Sequence, residues 1–378
     1  MLRRTVLDLL RSRPVLLEPI FLCGVPVITS LRLFLDIVCV WLCNNVGWSP
    51  WLRQWPTLRR NFGNVDAAGK ETFAGVSYPP ERLWYDLTSP RGYGYLLQPA
   101  GAHSTGTACL FMHGGGWVAC EPTLLIPSVT PYARAGFPTF VIAYPLSPGA
   151  KFPVALHAVL LALAHLEALG FRRVIIVGES AGGNLATLAA TVLANPELIS
   201  RLEQCDTSLD FSRCRNMQLK LLGVVSCYGI LDRKSWASAA AESYTEWVGD
   251  MFELGLAVCL RCYTNQRAKD LLTLVDLLES STQLVKQLPP MLLLVGDADP
   301  LVHSSRLAHR LLVERGFVAT LEVYEGAPHA FLTLPPAWMP QNSDRCAKPA
   351  TEQVTRFLAE QDALAKRSPL SSVVADSE

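Results

Sequence analysis

The chain has 378 residues, of which 50% are hydrophobic and 17% are charged, and its formal net charge at neutral pH is zero. This length exceeds that of one minimal domain, so it predicts either a single large core with accessory segments or two domains. The charged residues form no basic stripe, which argues against nucleic-acid binding.

The first predicted element is an apolar N-terminal segment, residues 19–43, which follows an arginine-rich start. It is long enough to span a membrane, although Pro26, Arg32 and Asp36 interrupt it. Pairing of Arg32 with Asp36, four residues later, would reduce the cost of insertion. Three interpretations stay open: a single membrane anchor or surface helix, a lid over the protein's own core, and a cleaved signal peptide without a clear cleavage site. We favour membrane association, for example at the endoplasmic reticulum; otherwise the protein is expected to be cytoplasmic.

Residues 1–80 are predicted to comprise this segment and a connector, followed by a main domain at 81–367 and a polar tail at 368–378. In the main domain, continuous apolar runs alternate with helical patterns. This alternation predicts an α/β fold with a mostly parallel, doubly wound sheet. The predicted strands are 83–88, 92–97, 107–112, 140–143, 173–177, 219–228, 291–295 and 320–324, and the predicted helices are 154–169, 307–315 and 351–364.

Residues 231–288 interrupt the alternation between two of these strands. The stretch holds two tryptophans, Trp236 and Trp247, and leucine-rich helical patterns. In such sheets ligands bind at the carboxyl ends of the strands. We therefore predict that the stretch is a helical lid inserted over that edge of the sheet.

The motif that organises the chain is Gly-Glu-Ser-Ala-Gly at 178–182, which follows an apolar strand and precedes a predicted helix. Strand, Gly-x-Ser-x-Gly and helix together are typical of a nucleophile elbow, in which a sharp turn exposes the serine oxygen. The motif by itself also fits an ordinary Gly/Ser-rich turn. If the elbow is present, Ser180 is the nucleophile, and the helix start places free N–H groups beside it.

The remaining chemistry is expected at the ends of other strands. Three glycines follow His113 directly after a buried strand, and their unshielded N–H groups suit an oxyanion hole. A nucleophilic serine needs a base and an orienting acid, in the order Ser, Asp or Glu, His. Of the histidines after Ser180, only His329 follows a strand end, whereas His303 and His309 fall in or near a predicted helix. The acid is Asp299 or Asp297, and we favour Asp299 because it precedes a rigid proline.

Eleven cysteines are scattered along the chain. Cys259 and Cys262 form a Cys-x-x-Cys pair with no second pair, which argues against a metal site. Cys205 and Cys214 could form a bridge within a loop.

Four motifs, in this order, resemble those of the hormone-sensitive-lipase family of α/β-hydrolases. They are His-Gly-Gly-Gly-Trp at 113–117, Gly-Glu-Ser-Ala-Gly-Gly-Asn-Leu-Ala at 178–186, Gly-Asp-Ala-Asp-Pro-Leu at 296–301 and Pro-His-Ala-Phe at 328–331. The resemblance covers roughly residues 82 to 365. It implies Ser180 as nucleophile, Asp299 as acid and His329 as base. It also implies an oxyanion hole made by the N–H groups of Gly115, Gly116 and Ala181, with Gly114 shaping the loop.

Two departures from the family pattern put the substrate in doubt but leave these residues intact. The family often has Asp where this chain has Glu179, and Asp-Tyr-Arg where this chain has Ala143-Tyr144-Pro145. The family's lid commonly comes from its N-terminal segment, which supports a lid role for part of residues 1–80.

The sequence therefore predicts a serine hydrolase that cleaves small-molecule acyl esters, with lipophilic esters favoured by the apolar N-terminus and insertion. The chemistry implies no metal and no organic cofactor. Two alternatives stay open: a non-catalytic binding or receptor relative of the same fold, and an amidase or a methylesterase acting on a prenylated substrate.

Overall fold

The computed structural model describes residues 64–65, 71–73, 76–77, 80–99, 105–234, 246–280, 285–333 and 343–367. The apolar segment 19–43 and the tail 368–378 lie outside the described residues, and so do the predictions made for them.

The described part of the predicted connector contains a small antiparallel sheet rather than only coil. Its three strands are β1 (Asn64–Val65), β2 (Glu71–Phe73) and β3 (Val76–Ser77).

The main sheet has eight strands in the described chain. They are β4 (Glu81–Trp84), β5 (Tyr93–Leu97), β6 (Thr107–Met112), β7 (Thr139–Ile142), β8 (Arg173–Glu179), β9 (Lys220–Cys227), β10 (Met291–Gly296) and β11 (Ala319–Tyr324). Their spatial order is β11-β10-β9-β8-β6-β7-β5-β4. Neighbouring strands from β11 to β7 are parallel, whereas β5 runs antiparallel to both β7 and β4.

Helices cover both faces of this sheet. They are α1 (Ile126–Arg134), α2 (Val154–Ala168), α3 (Ala181–Ala194), α4 (Glu197–Cys205), α5 (Ser212–Arg215), α6 (Glu246–Tyr263), α7 (Leu274–Ser280), α8 (Val302–Glu314) and α9 (Ser343–Arg367). Side chains of α2, α3 and α8 belong to the core on one face, and those of α1 and α9 to the core on the other. Because β6, β7 and β10 are buried along their whole length, they appear in the sequence as unbroken apolar runs.

The predicted doubly wound, mostly parallel sheet is confirmed, and so is the antiparallel pair β4–β5. Two predicted helices were too short. The helix predicted at 307–315 begins at Val302, immediately after the Asp299 loop, and the one predicted at 351–364 runs from Ser343 to Arg367. The missed first turns consist mostly of polar residues, so apolar periodicity does not mark them even where they are buried.

The stretch between β9 and β10 contains α6, a 3₁₀ helix at Gln266–Leu271 and α7. Residues 235–245 and 281–284 of the predicted lid lie outside the described residues. The described helices include none that is long and apolar enough to cross a membrane.

The structure describes the four cysteines named from the sequence. Cys205 and Cys214 are free thiols, so the suggested bridge is not formed. Cys259 and Cys262 are also free, and no group of side chains in the described ranges could hold a metal ion.

Candidate active site

Ser180 lies at the sharp turn between β8 and α3, at the carboxyl end of the central strand. Its backbone has φ 50° and ψ −118°, a conformation that non-glycine residues rarely adopt and that usually marks a functional turn. The turn is possible because its neighbours lack side chains. A Cβ on Gly178 would lie 2.1 Å from the Gly182 carbonyl oxygen, and one on Gly182 would lie 2.3 Å from the Met112 oxygen. These contacts exclude every larger residue at the two glycines and hold the serine at the carboxyl end of β8.

Two further strand ends bring a histidine and an aspartate to Ser180. The Nε2 atom of His329, in the loop after β11, is 3.0 Å from Ser180 Oγ, and its Nδ1 atom is 2.9 Å from Asp299 Oδ2. Asp299 has no solvent exposure, and its other oxygen accepts the Leu301 N–H at 2.8 Å. The imidazole is therefore held from both sides, in the arrangement that a general base needs.

The other candidates named from the sequence lie elsewhere. Asp297 accepts the Gly326 N–H at 2.6 Å and so ties the loop after β10 to the loop that carries His329. It therefore has a role in the turn, while Asp299, the favoured acid, faces the imidazole. His303 and His309 both lie on α8.

The electrostatic surroundings favour a His329 that can accept a proton. Burial lowers the pKa of His329, but the charge of Asp299, its hydrogen bond and the charge of Glu179 outweigh burial and raise the pKa above its usual value. A raised pKa makes the imidazole a stronger base and stabilises the imidazolium that forms when the serine is deprotonated.

The three predicted oxyanion donors lie beside the serine. Gly115 and Gly116 have positive φ values of 94° and 59°, and their N–H groups form no hydrogen bond with the described chain. Ala181 is the first residue of α3, where a backbone N–H has no partner within the helix. Gly115, Gly116 and Ser180 all line one cavity. Free donors at this position suit a developing oxyanion, and their role stays a prediction.

The far end of the glycine loop is held by a residue from the β4–β5 hairpin. Arg91 donates to the carbonyl oxygens of Cys120 at 2.8 Å and Tyr144 at 3.0 Å, and it lies 3.4 Å from the Glu121 carboxylate. Tyr93 donates its hydroxyl to the same carboxylate at 2.7 Å. Because these contacts are largely buried, they fix the loop that carries Gly115 and Gly116.

His113, at the start of the glycine loop, is buried and stabilises the loop through its contacts with Tyr144. Its ring stacks on Tyr144 with 4.3 Å between the centroids, and the Tyr144 hydroxyl donates to the His113 carbonyl at 2.8 Å. Burial lowers the pKa of His113 to about 3, so it stays neutral at physiological pH.

Glu179, next to the serine, connects the two catalytic loops. It is buried, and one oxygen accepts the Gly114 N–H at 3.1 Å, while the other accepts the hydroxyls of Tyr228, at 2.8 Å, and Thr333. Burial raises the pKa of Glu179, and the donated hydrogen bonds oppose this rise by favouring the carboxylate. The residue therefore joins the start of the glycine loop to the segment after His329.

The cavity in front of Ser180 has a volume of about 410 Å³. Its lining is mostly apolar and consists of Gly114, Gly115, Gly116, Cys120, Leu124, Leu125, Glu179, Ser180, Ile230, Gly255, Leu256, Cys259, His329, Ala330 and Thr333. Two thiols are among these residues. Burial raises the pKa of Cys259 to about 12 and also raises the pKa of Cys120, so both stay protonated and are weak nucleophiles.

Comparison with known proteins agrees with this geometry. A model of the alpha/beta hydrolase fold family matches residues 109–333. The chain belongs to this family. It is 24% identical over 293 residues to the carboxylesterase/phospholipase LipF of Mycobacterium tuberculosis, covering 75% of this chain and 71% of that protein. It is 26% identical over 326 residues to the acetyl esterase of Salmonella paratyphi B, covering 82% and 90% of the two chains.

A solved structure supports the same fold for this α/β-hydrolase. An esterase of the bacterial hormone-sensitive lipase family superposes with a TM-score of 0.56 at 22% identity, over 76% of this chain and 86% of that one. The predicted membership of the hormone-sensitive-lipase type of α/β-hydrolase is confirmed.

Sequence reasoning did not find several residues around the site of this α/β-hydrolase. Tyr228 directly follows β9, so the rule that ligands lie at the carboxyl ends of strands could have singled it out. Glu179 was noted only as a departure from the family pattern. Thr333 and Arg91 have no signal of their own in the sequence, because their roles depend on loops that meet only in the folded chain.

Proposed function

We propose that this α/β-hydrolase cleaves carboxylic esters through a Ser-His-Asp triad and an acyl-enzyme. The observation that carries the proposal is the pair of contacts from His329, 3.0 Å to Ser180 Oγ and 2.9 Å to Asp299 Oδ2. Two relatives, a carboxylesterase/phospholipase and an acetyl esterase, support the same reaction class.

In the proposed first step, Ser180 Oγ attacks the acyl carbon while His329 Nε2 takes the serine proton. The N–H groups of Gly115, Gly116 and Ala181 donate to the oxyanion, and Asp299 stabilises the imidazolium. His329 then gives its proton to the oxygen of the departing alcohol, which leaves an ester between Ser180 and the acyl group. Water, deprotonated by His329, attacks this ester, and His329 returns the proton to Ser180 Oγ as the bond to the acyl group breaks and the carboxylic acid is released.

The test is a substitution of the nucleophile. Ser180→Ala is expected to lower kcat for p-nitrophenyl acetate by about 10³-fold or more, because no covalent intermediate can form. Ser212→Ala, on an exposed serine of α5, is the control and should keep full activity. A Ser180→Ala variant that still hydrolyses the ester at the wild-type rate would rule out this mechanism.

The substrate is proposed to be lipophilic, because the cavity lining is mostly apolar and includes Leu124, Leu125, Ile230 and Leu256. The part of the insertion that lines the cavity is α6, through Gly255, Leu256 and Cys259. We propose that α6 belongs to the predicted lid. A series of p-nitrophenyl esters from acetate to decanoate measures the preference, and a matched anilide tests amidase activity.

Membrane contact through residues 19–43 is a separate proposal, supported by the apolar composition of that segment. Full-length protein is expected to sediment with phosphatidylcholine vesicles, and the double substitution Leu35→Asp and Val38→Asp to abolish sedimentation. The control is Leu87→Asp, at an exposed loop position. Full-length protein that stays in the supernatant would contradict the proposal.

A further inference from the structure

Gly255 lies in the middle of α6, a helix of 18 residues, and its absent side chain has no structural explanation in the helix itself. Glycine weakens a helix interior relative to alanine. A Cβ on Gly255 would meet no described atom within 4 Å, and the residue is exposed although it lines the cavity. Among the described residues, the space next to Gly255 is therefore unfilled on a wall of the cavity.

A glycine on the facing loop shows the contrast. A Cβ on Gly116 would lie 2.7 Å from the Sγ atom of Cys259, which is one helical turn after Gly255. Close packing therefore excludes a side chain at Gly116, but it does not exclude one at Gly255. α6 thus packs against the glycine loop at Cys259, whereas described atoms leave the space next to Gly255 unfilled.

The proposed chemistry distinguishes the directions of the alcohol and the acyl chain of an ester in the cavity. The alcohol oxygen has to reach His329 Nε2 to take its proton, so the alcohol points toward the wall formed by His329, Ala330 and Thr333. The tetrahedral carbon also bonds to Ser180 Oγ and to the oxyanion. Its remaining substituent is the acyl chain, which points away from His329 into the rest of the cavity, where the apolar lining includes Leu256 of α6.

We propose that the acyl chain passes Leu256 and leaves the cavity over Gly255, so that Gly255 determines specificity by admitting chains longer than the cavity. This inference rests on the proposed ester hydrolysis and names its substrates as esters of medium- and long-chain carboxylic acids. Leu256 is buried and gives the chain an apolar surface, and the solvent-exposed gap at Gly255 sets no fixed limit on its length.

The test fills the gap. Gly255→Trp is expected to lower kcat/KM for p-nitrophenyl decanoate by about tenfold or more, since each methylene that loses apolar contact costs about fourfold. Its kcat/KM for p-nitrophenyl acetate should fall much less, so that the decanoate-to-acetate ratio drops, because an acetyl group is too short to pass Gly255. Gly255→Leu, with a helix-favouring side chain, should give the same pattern more weakly. If Gly255→Trp does not fold, Gly255→Leu provides the test.

Arg261→Trp is the matched control, because it places the same ring at an exposed position of α6 that is not in the cavity lining. It should leave the decanoate-to-acetate ratio unchanged. A ratio that is equally unchanged in the Gly255 variants overturns the inference. If the Gly255 variants lower kcat/KM for octyl acetate and not for p-nitrophenyl decanoate, the inference is also overturned, because the chain that passes Gly255 would then belong to the alcohol. Wild-type protein without activity on any ester would instead overturn the proposed function, and this inference with it.

Discussion

Two walls of the cavity are built by different means. The wall on the sheet side carries Ser180, and there Gly178 and Gly182 lie so close to backbone oxygens that no side chain fits. Another wall is formed by α6, where a Cβ on Gly255 would meet no described atom within 4 Å. On the sheet side close packing sets the positions of reacting atoms to a fraction of an ångström, which the proposed chemistry requires. On the α6 side the important feature is the unfilled space next to Gly255, and a substitution can fill that space without disturbing the reacting groups.

The largest effect is expected where the sheet wall holds the imidazole. Asp299→Asn should lower kcat by about 10⁴-fold, because an amide favours the wrong tautomer of His329 and does not stabilise the imidazolium. Ester hydrolysis at saturating p-nitrophenyl acetate measures it. Asp297→Asn is the control, since that carboxylate contacts the Gly326 N–H and not the imidazole. Equal losses in the two variants would show that Asp299 only supports the loop.

The next effect tests the packing of the sheet wall. Gly178→Ala places a methyl group 2.1 Å from the Gly182 oxygen, so the turn has to move. A displacement of about 1 Å at the serine is expected to cost about 10²-fold in kcat, and overpacking should lower the free energy of unfolding by about 1–3 kcal/mol. Activity and thermal melting are both measured. An alanine variant with wild-type values would show that the turn tolerates a side chain.

A smaller effect is expected from the charge of Glu179. Its carboxylate contributes to the raised pKa of His329, so Glu179→Gln should lower that pKa. Since the base acts in its neutral form, activity is lost as the pH falls through this pKa. The acidic limb of the kcat/KM profile should therefore move to lower pH.

The matched control for Glu179 is Thr333→Val, which removes a hydrogen bond to the carboxylate but keeps its charge. It should not move the acidic limb to lower pH. If both variants lower activity without moving the limb, the role of Glu179 is to hold the two loops and not to act through charge.

The smallest effect is expected on the α6 wall. Gly255→Ala should raise the free energy of unfolding by about 0.5–1 kcal/mol, because alanine favours the helix and its methyl group meets no described atom. The rate with p-nitrophenyl acetate should not change. Thermal melting compared with Gly178→Ala makes the contrast direct: the same methyl group stabilises one wall and destabilises the other. A destabilised Gly255→Ala would show that the position is packed.

Most of the sheet could be predicted from the sequence, because strands buried on both faces leave unbroken apolar runs such as 107–112 and 291–295. Ser180, Asp299 and His329 were also predicted, since each lies at or shortly after the carboxyl end of a parallel strand, and these ends meet on one side of the sheet. The helix starts at Val302 and Ser343 were missed, because those turns lack a continuous apolar stripe.

Local sequence by itself determined the strand–turn–helix at Ser180, the glycine loop after β6 and the order of serine, acid and histidine. These features follow from short-range sterics and apolar periodicity, which the residues carry wherever the chain places them. Only the tertiary structure decided that Asp299 and not Asp297 faces the imidazole, that Glu179 joins two loops, and that Gly255 faces a cavity. Each of these depends on segments distant in the chain meeting within hydrogen-bond or van der Waals distance, and the sequence pattern around a residue does not encode that distance.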